Sequence, residues 1–138
     1  MNGALARFQP QAHILMRIAI GVLFWSNGAK KLFGWFGGMG PDGGSAELMS
    51  LMGLAGIIEF FGGLAVALGL FTQPVAFIAA GEMAVAYFYG HVFGPEGLKW
   101  FWWQNQGERS AMYAWIMLYL STVGAGGFSL DAWRARNR

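Results

Sequence analysis

Two carboxylates stand inside long apolar runs of this chain, and their placement limits what chemistry they can do. Glu59 lies in Gly56-Ile57-Ile58-Glu59-Phe60-Phe61-Gly62-Gly63-Leu64, near the middle of an apolar stretch covering 48–71. Glu82 lies in a second run, 75–93. An ionised carboxylate at mid-depth in a bilayer costs on the order of 3 kcal/mol or more, so each must be protonated, paired or turned to a polar interior. The partners on offer are Asn27, Lys30 and Lys31 before the first loop, His91 at the end of the third run, and Glu108 at the start of the fourth. Glu59 is expected to reach Asn27, Lys30 or Lys31, or to share a proton with Glu82, as two close carboxyls do. Lys31 is expected to pair with Glu108 on one side of the membrane, and Arg17 with Asp131 on the other. On a regular helix His91 falls on the side opposite Glu82, so these two share a site only if Gly90 breaks the helix.

Metal and thiol chemistry have little to work with. The chain has no cysteine, which removes disulfides, thiolate ligands and thiol nucleophiles. Its two histidines, His13 and His91, fall at different predicted depths, so they cannot ligate one haem. No metal site is expected, and no cofactor motif is evident. The net charge of +2 is too small for nucleic-acid binding. Gly38, Gly40 and Gly43 spell a G-x-G-x-x-G, but hydrophobic helices flank it where a dinucleotide site needs a strand and a crossover helix. It reads as a loop at the membrane face.

The elements that must position these residues follow from composition. Of 138 residues 56% are hydrophobic and only 12% charged, whereas a soluble domain carries about 25% charged residues. The chain therefore reads as all-α, an integral membrane four-helix up-down-up-down bundle in one domain, with spans at about 12–36, 48–71, 75–93 and 108–128. Arg17, Gly21, Phe24, Gly28 and Lys31 recur on one face of the first helix, which should look into the bundle. Ser45 ahead of Glu47 suits the start of the second helix. Ala65/Gly69 and Ala80/Ala84 are small-residue pairs of the kind that let membrane helices approach closely. The turn Thr72-Gln73-Pro74 makes the second and third helices antiparallel neighbours. Trp100-Phe101-Trp102-Trp103 and Trp35 suit the headgroup layer. Ser129 is placed to cap a short terminal helix with Asp131 in its first turn; Trp133, Arg134, Arg136 and Arg138 would anchor it. The amino end has no small-residue cleavage pattern after its first apolar run, so it does not read as a cleavable signal. Cations are equally numerous at both ends of the bundle; Arg17 on the terminal side favours both termini in the cytoplasm.

These motifs add up to a family. Arg17-x-x-x-Gly21, Asn27-Gly28-x-x-Lys31, Glu59-x-x-Gly62-Gly63 with Gly69-Leu70-x-Thr72, Gly107-Glu108 and the closing Gly124-Ala125-Gly126-Gly127-Phe128-Ser129-Leu130-Asp131 together resemble the DoxX family. The closing run departs from the family's commonest pattern, which carries a proline where this chain has Ala125-Gly126. The resemblance covers nearly the whole chain and implies a multi-pass protein of the bacterial inner membrane. It also implies kinship with the small subunit of a membrane thiosulfate:quinone oxidoreductase, while other members are associated with oxidative-stress or quinone-detoxification systems.

Three functions are consistent with these residues. One is a quinone-linked redox subunit, with Phe60, Phe61, Tyr87, Phe88 and Tyr89 around an apolar ring and Glu59 or His91 exchanging protons with its oxygens; a membrane quinone would be its cofactor. Another is a non-catalytic scaffold or anchor for a protein partner. The third is a small ligand-binding or transport bundle, which would need a homo-oligomer for room. In each case the lipid bilayer is the first partner.

Overall fold

The computed structural model describes residues 3–137; Arg138, named above among the terminal cations, lies outside the described residues. All the named elements are helical, and the one extended pairing among the described residues is an isolated bridge between Met39 and Gly44. The main elements are α1 (Gln9–Phe33), α2 (Leu51–Leu68), α3 (Thr72–Val85), α4 (Trp102–Asn105), α5 (Glu108–Val123) and α6 (Leu130–Arg136). Three helical segments are long and apolar enough to cross a membrane: Ala6–Phe33, Leu51–Leu68 and Thr72–Val92. Helix α5, at 16 residues, is shorter than these. Only 28% of the most apolar window of each long segment is buried, so most of its side chains face outward. In water that surface would be an aggregation hazard, whereas in lipid it is the expected exterior.

Helix boundaries follow local chemistry. Helix α1 begins with Pro10 in its first turn and stops at Gly34, whose φ of 68° is the left-handed conformation that closes a helix. Helix α2 starts three residues later than expected. Ser50, not Ser45, caps it by accepting a hydrogen bond from the Gly53 amide. Helix α3 starts three residues earlier than expected, at Thr72, because Pro74 falls within its first turn, where a missing N–H costs nothing. Helix α5 ends at Val123 rather than near 128, since Gly124 and Gly126 both take positive φ. Ser129 caps α6 by accepting from the Ala132 amide, and Asp131 lies in its first turn.

The third helix does not stay regular. From Ala86 to Val92 it widens into a π-helix, a local change of phase that nothing in the apolar pattern announces.

Helices α1 and α2 run antiparallel and meet through glycines. A side chain at Gly21 would strike Ala67, one at Gly28 the backbone of Glu59 and Phe60, and one at Gly63 the backbone of Trp25. Gly56 lies against Leu32 and Lys31. Gly21 and Gly28 on one helix and Gly56 and Gly63 on the other are each a heptad apart, so small residues meet the opposite helix at alternate levels. The buried face of α1 carries Arg17, Gly21, Phe24 and Gly28, the face their spacing marks. Helix α2 also packs on α3, and α3 on α5. The shared core is Phe24 from α1, Val66 from α2, Ala76, Ala79, Ala80 and Met83 from α3, and Tyr113, Met117 and Leu120 from α5.

Candidate functional site

The glycine-lined approach of α1 to α2 brings two charges together. Lys31 Nζ donates to Glu59 Oε1 at 2.7 Å. Glu59 is 2% exposed, while Lys31 is half-buried and reaches down from the last turn of α1. Lys30, one residue away and therefore about 100° around the helix, is turned off this line; among the described residues it makes no ion pair. The choice that the sequence left among Asn27, Lys30 and Lys31 thus falls on Lys31.

Glu59 is only half satisfied. Its Oε2 is buried without a hydrogen-bond partner, and so is Oε2 of Glu82 on α3. Glu59 and Lys31 are the charged groups that act on Glu82, so the three side chains form one electrostatic unit across α1, α2 and α3. Asn27 does not join Glu59. Its Nδ2 donates to the Tyr113 hydroxyl at 3.3 Å, linking α1 to α5. Tyr113 also packs on Phe24, and Arg109 one turn before it bears on both Glu59 and Tyr113. Arg109 and Tyr113 were not legible as site residues, although their four-residue spacing places them on one face of α5.

Glu108 is not the partner of Lys31. It is exposed in the first turn of α5, where a carboxylate complements the helix dipole, while Lys31 is taken by a nearer, buried acid. His91 also stands apart from Glu82. Its Nδ1 donates to the Asn105 carbonyl at 3.0 Å, and its Nε2 lies 3.5 Å from the Ser110 hydroxyl. With Tyr87 donating to the Trp100 carbonyl at 2.7 Å, the π-helix is tied to the aromatic segment rather than to the buried acids. Four of the five aromatic residues expected around one ring fall into two groups, and Tyr89 joins neither. Phe60 packs with Trp25, Phe33 and Phe61, and Tyr87 with Phe88. A shallow, open apolar groove lies along Ala84, Val85, Phe88, Tyr89 and Phe93; neither acid lines it.

A second polar group lies at the other end of the helices, and here the expected ion pair is replaced by something else. Arg17, 1% exposed, donates to the carbonyls of Val66 and Ala67 at 3.0 and 2.9 Å and to that of Phe128. Asp131 accepts from the amides of Phe71 and Thr72 at 2.8 and 2.9 Å. The two side chains therefore satisfy backbone groups that helix ends leave open, carbonyls at the end of α2 and amides at the start of α3. Burial alone would raise the Asp131 carboxyl, but the Thr72 and Phe71 amides outweigh it and hold it below the usual carboxylate range. Gly69, at φ 68°, sits between the halves of this clamp, and a side chain there would strike Arg17 and Ser129. Among the described residues no group of three or more potential metal ligands occurs.

The family model described as DoxX matches residues 12–92, which takes in Arg17, Lys31, Glu59 and Glu82. A protein of Haemophilus influenzae described only as uncharacterized is 37% identical over 128 residues, covering 92% of this chain and 93% of its own. No solved structure matches the chain.

Proposed function

The chain belongs to the DoxX family of membrane proteins, and from that premise we propose that it is the small quinone-linked subunit of a membrane oxidoreductase. In this reading α1, α2, α3 with its π-extension, and α5 cross the bacterial inner membrane as a four-helix up-down-up-down bundle with both termini in the cytoplasm. The distribution of free cations supports that orientation. Asp42, Glu47, Glu96 and Glu108 all belong to the loop side, while the terminal side carries Arg7, Arg134 and Arg136 with Asp131 as its one acid among the described residues. Lys31 is engaged by Glu59 and Lys99 by Glu96, which among the described residues leaves Lys30 and Arg109 free on the loop side against Arg7, Arg134 and Arg136 on the terminal side.

One observation carries the redox reading: the buried Lys31–Glu59 pair beside Glu82, with one oxygen of each acid unpartnered. A quinol hydroxyl donates, and an unpartnered carboxylate oxygen is the acceptor it needs. The quinone would take or give two electrons and two protons. A partner chain would hold the electron donor or acceptor, and this chain would supply the headgroup site and the proton exchange. The apolar groove on the lipid side of α3 suits an isoprenoid tail.

A quinol analogue added to the purified protein in mild detergent tests the reading directly. It should change the tryptophan fluorescence, since Trp25 packs on Phe60 next to Glu59, and Glu59→Gln should remove the response. A wild-type protein with no response overturns it.

A scaffold reading is favoured by a different observation, the exposed Trp100, Phe101, Trp102 and Trp103 at one end of the molecule. Such a surface suits another membrane subunit as well as lipid headgroups. Mild-detergent pull-down without a stoichiometric partner counts against it.

A further inference from the structure

Lys31, Glu59 and Glu82 do not balance in charge. Two acids from α2 and α3 share one half-buried cation from α1. Lys31 satisfies Oε1 of Glu59, and two acid oxygens are left without donors in an interior where an unpaired polar atom or charge is costly. The other groups facing this unit do not close the account. Asn27 and Tyr113 are bonded to each other, and Arg109 is exposed on α5, where its charge is screened.

We propose that Glu59 and Glu82 together bind one exchangeable proton, carried between their free oxygens directly or through one water, with Lys31 as the fixed counter-charge. One proton makes the unit neutral. It also supplies the missing donor, because a protonated carboxyl has an O–H to give while its neighbour accepts. The proton number is set by charge counting, the two acids minus Lys31, and this separates a proton-binding site from a pair that merely locks helices. No redox partner is needed for the site to load. It rests on the same residues as the quinone reading and names the group that would exchange protons there, yet its test needs no quinone.

Infrared spectroscopy of the full chain in liposomes at neutral pH is that test. The wild type should show one protonated-carboxyl C=O band that shifts on transfer to D2O. Glu82→Gln should lose it, because Glu59 then pairs with Lys31 alone. Glu59→Gln should lose it as well, because Glu82 becomes the only acid for Lys31. Lys31→Met should roughly double it, since both acids then need a proton. The exposed Glu108→Gln should leave it unchanged. A wild-type protein without such a band overturns the proposal, whether or not the variants fold. So does a band that survives in both glutamine variants. A band present in a protein that ignores quinol would instead keep the proton site and remove the quinone reading.

Discussion

Arg17 and Asp131 hold the same corner of the molecule without forming an ion pair: Arg17 takes the last carbonyls of α2, and Asp131 takes the first amides of α3. The sign of each charge matches the helix end it serves, a cation at a C-terminus and an anion at an N-terminus. The short connection through Gly69 is therefore clamped from both sides, and Asp131 adds its own amide, which donates to the Gly69 carbonyl at 2.8 Å.

Replacing Arg17 tests one half of the clamp. Arg17→Met removes three charge-assisted hydrogen bonds at a buried position and should destabilise the protein by on the order of 2–3 kcal/mol, after the gain from burying an apolar side chain. Arg17→Lys should rescue little, because one ammonium cannot reproduce a planar fork serving two elements. Thermal unfolding in detergent measures both; a lysine variant as stable as the wild type contradicts the geometry.

The other half responds to pH. Asp131 is held below the usual carboxylate range in the folded protein. Its contribution is fully present above its unfolded value, about 3.9, and is lost as pH falls through the lower folded value. The melting temperature should therefore be flat near neutrality and fall below about pH 4. Asp131→Asn should melt lower at neutral pH, by about 1 kcal/mol as for a lost helix cap, and show a smaller fall in acid.

The ion pair at Lys31 and Glu59 should behave as a buried pair does. Lys31→Met strands Glu59 and should cost roughly 3–5 kcal/mol less any relief from protonation, while Glu59→Gln leaves Lys31 to Glu82 and should cost less. The double variant should be more stable than the sum of the singles, with a coupling of about 0.5–3 kcal/mol in a double-mutant cycle. Additive losses would mean the pair is not formed.

Glycines on two faces should give opposite signs. Gly28→Ala and Gly63→Ala place a methyl against the backbone of α2 and α1 respectively, and forcing the helices apart should cost roughly 1–3 kcal/mol. Gly81→Ala meets no atom within 4 Å on the outer face of α3 and should stabilise by about 0.5–1 kcal/mol through helix propensity. Unfolding midpoints of the three variants check the ordering.

Much of this molecule was legible from residue type and spacing. The apolar runs marked the helices, because a backbone in lipid must satisfy itself. Arg17, Gly21, Phe24 and Gly28 marked the buried face of α1, because helical periodicity is local. The terminal cap by Ser129 was legible for the same reason. Helix ends were less so. Ser50 displaced Ser45: both residue types are competent caps, and it is Ser50 that accepts from the amide three residues on. The π-helix at Ala86–Val92 and the turning of His91 toward Asn105 depend on how the aromatic segment folds back, which no local pattern encodes.

Residue type and position marked which groups are expensive to bury, and so which ones needed partners: Arg17, Glu59 and Glu82. Which partners they meet follows from how the helices pack and where they end. Lys31 rather than Lys30 reaches Glu59, because a turn of about 100° per residue lets only one of two adjacent lysines face α2. Arg17 and Asp131 found backbone rather than each other, because open carbonyls and amides at helix ends exist only once helices end there. Main-chain groups are the same at every residue, so a sequence cannot show which of them will be free.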